Sequence, residues 1–132
     1  MEFSPAQALE LWRLAITEGV RRESPDLSAR QMALMLTVYM TPPPHTVRGL
    51  AQLLNVSKPA ITRALDRLSQ LGLARRKTDP ADRRSVLVQR TVKGAVFLRE
   101  FGDVIAAAAP LARLGAPPET IGRALNPPPP GG

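Results

Sequence analysis

The sequence contains no cysteine, a single histidine and few aromatic residues, with one Trp, one Tyr and three Phe. Without cysteine there is no disulfide, no thiolate nucleophile, no thiol redox switch and no Cys-type zinc site. His45 follows three consecutive prolines and has no thiol to share a metal with, so zinc and haem ligation are excluded and a surface-loop role is expected. No serine is arranged with a histidine and a carboxylate, and no glycine-rich phosphate loop is present. The expectation is a protein that is not an enzyme, with no catalytic residue, no cofactor and no bound metal. Long apolar runs are also missing: the longest, around Val104 to Ala112, is interrupted by Pro110 and is too short to span a bilayer. The opening Met1-Glu2-Phe3-Ser4-Pro5 has neither the positive region nor the apolar stretch of a signal peptide. A cytoplasmic protein with no membrane partner is expected.

What the chain has is positive charge, and it is concentrated. The net charge is +7 over 132 residues. Between Lys58 and Lys93 stand ten Lys or Arg against three Asp, a surplus of seven, while the remainder balances at eight against eight. A surplus confined to about a quarter of the length makes a directed electrostatic surface, for which a polyanion is the natural partner.

A chain of this length is enough for one core, and a single domain over 1–126 is expected, followed by a Pro- and Gly-rich tail over 127–132 that reads as disordered. Ser4 with Pro5 next and Gln7 three residues on has capping-box spacing and predicts a helix to about Arg22. Its Leu9, Trp12, Ile16 and Val20 line one face and call for a partner surface. Ser28 and Gln31 repeat the capping spacing before Met32, Leu34, Met35, Leu36, Val38 and Met40, which predicts a central helix to about Met40. Pro42 to Pro44 exclude a helix there. Trp12 and the Met32, Met35 and Met40 group read as core or dimer packing, with contact to a lipophilic effector as the alternative.

Thr46 is a cap for a short helix with a Val47, Leu50, Ala51, Leu54 face, and Asn55 suits its left-handed end. Ser57 then caps a longer helix with inner residues Ile61, Ala64, Leu65 and Leu68, where Pro59 is tolerated in the first turn and Gly72 marks the end. Leu73 to Lys77 and Val86 to Arg90 are strand candidates joined by a polar tip over 78–84. Thr91 caps a further helix with a Phe97, Phe101, Val104, Ile105, Ala108 stripe, expected to stop at Pro110, and a last short helix is expected from Pro118 to Leu125. The fold class is therefore mainly α with a small β-hairpin wing: a winged helix-turn-helix over 46–93 with flanking helices over 5–40 and 92–125.

Four segments occur in one order: Val47-Arg48-Gly49-Leu50-Ala51-Gln52-Leu53-Leu54, Ser57-Lys58-Pro59-Ala60-Ile61-Thr62-Arg63, Asp79-Pro80-Ala81-Asp82-Arg83-Arg84, and Thr91-Val92-Lys93-Gly94. Through them the chain resembles the MarR family of multiple-antibiotic-resistance regulators, over roughly Ser28 to Phe101. The resemblance implies a winged-helix transcriptional regulator that binds double-stranded DNA as a homodimer through its flanking helices, and it allows a small-molecule effector of unassigned identity. The chain is short for the family, which implies a smaller or differently arranged dimer contact.

A helix that enters the major groove uses its N-terminal residues, here Ser57, Lys58, Pro59, Thr62, Arg63 and Arg67. Arg63 is the first choice for a base, since Arg reads guanine bidentately, and Ser57, Lys58 and Thr62 suit phosphate or mixed contacts. In the wing, the resemblance implies that Arg84 enters a minor groove, that Asp82 orients it through a salt bridge, and that Arg83 lies nearer the phosphates. Arg75, Arg76 and Lys77 alternate in direction, so only some can face DNA. The competing reading of these residues is a solvated face, with Arg63 paired to Asp66. The competing function is a winged-helix module docking an acidic partner protein.

Overall fold

A computed structural model describes residues 2–115. The expected helix over Pro118 to Leu125 and the tail over 127–132 lie outside the described residues. Five helices and one hairpin follow in the order α1 (Pro5–Arg21), α2 (Ala29–Met40), α3 (Val47–Leu54), α4 (Lys58–Gln70), β1 (Ala74–Asp79), β2 (Asp82–Arg90) and α5 (Val92–Gly115). The chain divides into two compact units, one over Pro25–Arg99 and the other joining the residues up to Ser24 with those from Glu100 onward.

The helix starts follow from local hydrogen bonding. Four of the first amides of any helix lack intrahelical acceptors, and side-chain oxygens supply some of them. Ser4 and Ser28 form capping boxes with Gln7 and Gln31. The Gly49 N–H donates to Thr46 Oγ1 at 2.9 Å and the Ala60 N–H to Ser57 Oγ at 3.2 Å. The α3 end turns through Asn55 at φ 55°, and Gly72 adopts φ 72° after α4. At that second turn the Leu73 N–H reaches back to Leu68 O at 2.8 Å, the six-to-one bond of a Schellman end.

In the unit over Pro25–Arg99 the core is Leu34, Met35 and Val38 of α2, Leu50 and Ala51 of α3, Ile61, Ala64, Leu65 and Leu68 of α4, and Leu73, Ala74 and Val88 at the hairpin base. Phe97 and Leu98 of α5 pack against it. Met35 is therefore core, whereas Met40 is 75% exposed and contributes nothing to it.

Two non-local devices hold this unit. Tyr39 Oη donates to Leu73 O at 2.6 Å and accepts the Thr91 N–H at 2.9 Å, while Thr91 Oγ1 donates to Gly72 O at 2.7 Å and accepts the Gly94 N–H at 2.9 Å. One tyrosine on α2 thus joins the turn after α4 to the start of α5. Arg90 donates from Nε to Val38 O and from its terminal nitrogen to Thr41 O, both at 2.9 Å, which satisfies carbonyls at the end of α2.

The other unit buries only small residues completely among those described: Ala6 and Ala15 of α1, Ala108 and Ala112 of α5. Gln7 Nε2 donates to Arg113 O at 2.9 Å, and the Arg113 guanidinium lies 4.6 Å from the centre of the Phe3 ring. The expected stop at Pro110 does not occur, because α5 continues through it to Gly115. The proline removes one amide from the ladder and leaves the Ala106 carbonyl without its usual donor. The run Ala106 to Ala109 favours helix strongly, and Ala108 and Ala112, one turn apart and both buried, hold the segment on either side of the proline. No described helix is long and apolar enough to cross a membrane.

Candidate nucleic-acid interface

The basic surplus falls on α4 and the hairpin. Ile61, Ala64, Leu65 and Leu68 turn one side of α4 into the core, and that fixes which residues are left outside. Ser57, Lys58, Pro59, Arg63 and Arg67 are exposed and Thr62 is half-buried. The six residues proposed for the major groove therefore share the solvent side of the first turns of the helix.

The hairpin is tighter than its sequence suggests. Strand pairing runs from Ala74↔Arg90 through Thr78↔Val86 and then jumps to Asp79↔Asp82, so the connection is Pro80-Ala81 and not a loop over 78–84. The jump leaves Arg83, Arg84 and Ser85 as a bulge opposite no residue of β1. Two aspartates close this turn. The Ala81 N–H donates to Asp79 Oδ1 at 2.9 Å and the Arg84 N–H to Asp82 Oδ1 at 3.1 Å, each an aspartate accepting from an amide two residues on. Asp82 thus holds Arg84 by its main chain, and the side-chain salt bridge expected between them is not formed. Asp82, Arg83 and Arg84 are all exposed.

Asp66, on the outer side of α4, pairs with Arg76 of β1 and not with Arg63. This decides the direction of the basic strand. Arg76 faces α4, so Arg75 and Lys77, one residue to either side, point to the opposite face of the hairpin. Arg90 is engaged at the end of α2 and is unavailable to a partner. Among the described residues, Lys58, Arg63, Arg67, Arg83 and Arg84 form no ion pair.

Sequence reasoning missed an extended residue that pairs with β2 from outside the hairpin. Thr46 bridges to Leu87, and the Val88 N–H donates to His45 O at 2.8 Å, so the residue that caps α3 is tied to β2 as well. This links the start of the helix-turn-helix to the wing. A single residue in extended pairing leaves no periodic signal. Among the described residues no group of three His, Asp or Glu side chains is placed to hold a metal ion.

Residues 26–85 match the profile of the MarR family. The chain is similar to a crystal structure of MarR, at 25% identity and a TM-score of 0.62, over 79% of this chain and 75% of that one. It is also similar to the YusO protein from Bacillus subtilis, at 20% identity and a TM-score of 0.67, over 90% and 83%. A third similar structure is a mutant of MepR from S. aureus bound to an oligodeoxyribonucleotide, at 16% identity and a TM-score of 0.69, over 94% and 92%. The matched residues 26–85 hold α2, the helix-turn-helix, β1 and the tip of the hairpin, and it is in this segment that the chain is similar to the MarR family.

Proposed function

We propose that this protein is a sequence-specific DNA-binding transcriptional regulator that works as a homodimer on an inverted-repeat site and represses. The observation that carries the reading is the pairing state of the charges. Every aspartate in the basic stretch is already engaged, Asp66 by Arg76 and Asp79 and Asp82 by amides of their own turn. Lys58, Arg63, Arg67, Arg83 and Arg84 are left exposed and without an ion-pair partner among the described residues, on two neighbouring projections. One projection is a helix start, suited to a major groove; the other is a narrow hairpin, suited to a minor groove.

In this reading Arg63 contacts a base, Ser57, Lys58, Thr62 and Arg67 position the helix on phosphates, and Pro59 packs at the groove wall. Arg84 enters the minor groove, fixed by Asp82 through its amide, with Arg83 toward the backbone. The homodimer is supported by the α1 face of Leu9, Trp12, Ile16 and Val20, which is 41–73% exposed in the single chain. Two copies would cover that face and space two readers about one helical turn apart, ~34 Å. A dimer seated over both half-sites excludes other proteins from the same DNA, which is the basis for repression. The cytoplasm is the compartment in which such a regulator meets its DNA.

The test is a mobility-shift titration on inverted-repeat promoter fragments selected from the source genome, with non-specific competitor. Binding that survives competitor and is weakened in Arg63→Ala and Arg84→Ala supports the reading. Absence of binding at low salt, or binding indifferent to both substitutions, defeats it.

A further inference from the structure

Among the charged side chains at the start of α4 stands one rigid apolar group. Pro59 is the second residue of the helix, and it is exposed. The Ala60 N–H, next in the chain, donates to Ser57 Oγ at 3.2 Å, so the turn that carries the ring is held by its own cap. A proline loses no rotamer freedom when it is covered, and its ring gains by leaving water. Arg63 stands four residues on, which puts the two on one face of the helix with Cβ atoms about 5–6 Å apart. Helical side chains lean toward the N-terminus, so the Arg63 stem runs back over the turn of Pro59. Asp66, the carboxylate that would draw Arg63 the other way, is taken by Arg76.

A charged fork beside an apolar ring matches one arrangement in double-stranded DNA. On the major-groove edge guanine offers N7 and O6 to an arginine, and the C5-methyl of thymine is the apolar group presented there. Successive bases of one strand rise by about 3.4 Å, so a thymine immediately 5′ of a guanine brings its methyl beside the guanidinium bound to that guanine. We propose that Pro59 is a specificity-determining residue: with Arg63 it reads a 5′-TG-3′ step in each half-site. The Arg63 guanidinium takes the guanine, while the proline ring and the Arg63 stem enclose the thymine methyl. The inference rests on the proposed operator reading and goes beyond it by adding a second base and naming the step. Pyrimidine–purine steps also unstack more easily than others, so this one adapts to a helix end at little cost. Without the ring the methyl stays in water, and the position carries no preference for it.

The experiment selects duplexes with randomised half-sites on the full chain and then titrates the selected duplex. A 5′-TG-3′ step is expected in each half-site. Replacing its thymine by deoxyuridine, which removes only the methyl, is expected to weaken binding about fourfold per half-site. In a duplex carrying 5′-CG-3′ at the same place, 5-methylcytosine for cytosine is expected to strengthen binding by a similar factor. In Pro59→Ala, where alanine suits the helix, both methyl effects are expected to fall below about twofold while the guanine preference persists. A selected site without the step, binding indifferent to deoxyuridine, or methyl effects of the same size in Pro59→Ala would each overturn this inference and leave the operator reading standing. Absence of any sequence-selective binding would overturn the operator reading, and this inference with it.

Discussion

Gly94 lies against the hydroxyl of Tyr39 so closely that no Cβ fits between them, and the Leu73 carbonyl closes the same space from the backbone side. The contact joins residues 55 positions apart, and it accounts for a glycine at the third position of a helix that Thr91 caps. Gly94→Ala is expected to destabilise the fold by about 1–3 kcal/mol through overpacking, read from the urea midpoint. An unchanged midpoint would show that the contact yields freely.

Tyr39→Phe removes one hydroxyl from two partners, the Thr91 amide and the Leu73 carbonyl. Leaving both unsatisfied is expected to cost about 1–3 kcal/mol while the ring remains packed. Thr91→Val should cost a similar amount by stripping the Gly94 amide and the Gly72 carbonyl of theirs. The double variant is expected to lose less than the two losses added together, since the residues share one network, and a double-mutant cycle measures the difference.

The ion pair of Asp66 and Arg76 has both side chains about half exposed, at 52% and 42%. A pair in that setting contributes little, so Asp66→Ala is expected to change stability by less than about 1 kcal/mol. Its effect on DNA affinity should be larger and positive at low salt, because a carboxylate is removed from the outer side of α4. Affinity that falls in Asp66→Ala would mean that the pair's placing of the wing outweighs its charge.

On DNA, the two projections should separate by substitution. Arg63→Ala is expected to cost about 1–3 kcal/mol and to relax preference at one base position per half-site. Lys58→Ala and Arg67→Ala should weaken all sequences alike and make the slope of log affinity against log salt shallower, by about 0.9 for each phosphate left without its cation. With four or five phosphates per subunit, the unsubstituted dimer is expected to show a slope of roughly −7 to −9.

Trp12→Glu with Ile16→Glu places two charges in the exposed α1 face. Sedimentation equilibrium is expected to show a monomer, with operator affinity reduced far more than affinity for a single half-site. A dimer that persists would move the interface elsewhere.

How far the sequence alone leads depends on how far along the chain a feature's causes extend. Ser4, Ser28, Thr46, Ser57 and Thr91 act within three residues of themselves, and the left-handed ends at Asn55 and Gly72 are equally local, so helix starts and stops are readable from residue type and spacing. The helix faces are readable too, because periodicity alone sends Arg63 and Arg67 outward when Ile61, Ala64, Leu65 and Leu68 go in. The hairpin is legible in place but not in tightness: its register depends on cross-strand pairing, and the same Asp79 and Asp82 that suggest a charged loop instead clamp a two-residue connection. Pro110 misleads because its local cost is outweighed by alanines that favour helix and bury on either side. Tyr39, Arg90 and the Thr46 bridge act across 34 to 52 positions, and no local pattern announces them.

The clamped hairpin has a kinetic meaning. A flexible basic loop would have to become ordered on meeting DNA, and each residue fixed opposes association by about 1–2 kcal/mol. Here the connection is two residues long, both turn aspartates are engaged and Arg84 is held by its own amide, so most of that ordering exists before contact. On the proposed DNA-binding reading, encounter would be limited by orientation and steered by charge, and discrimination among sequences would rest on how fast the complex comes apart. If the wing enters DNA as proposed, it does so already shaped, and the bases beneath it would have to offer a groove of the right width.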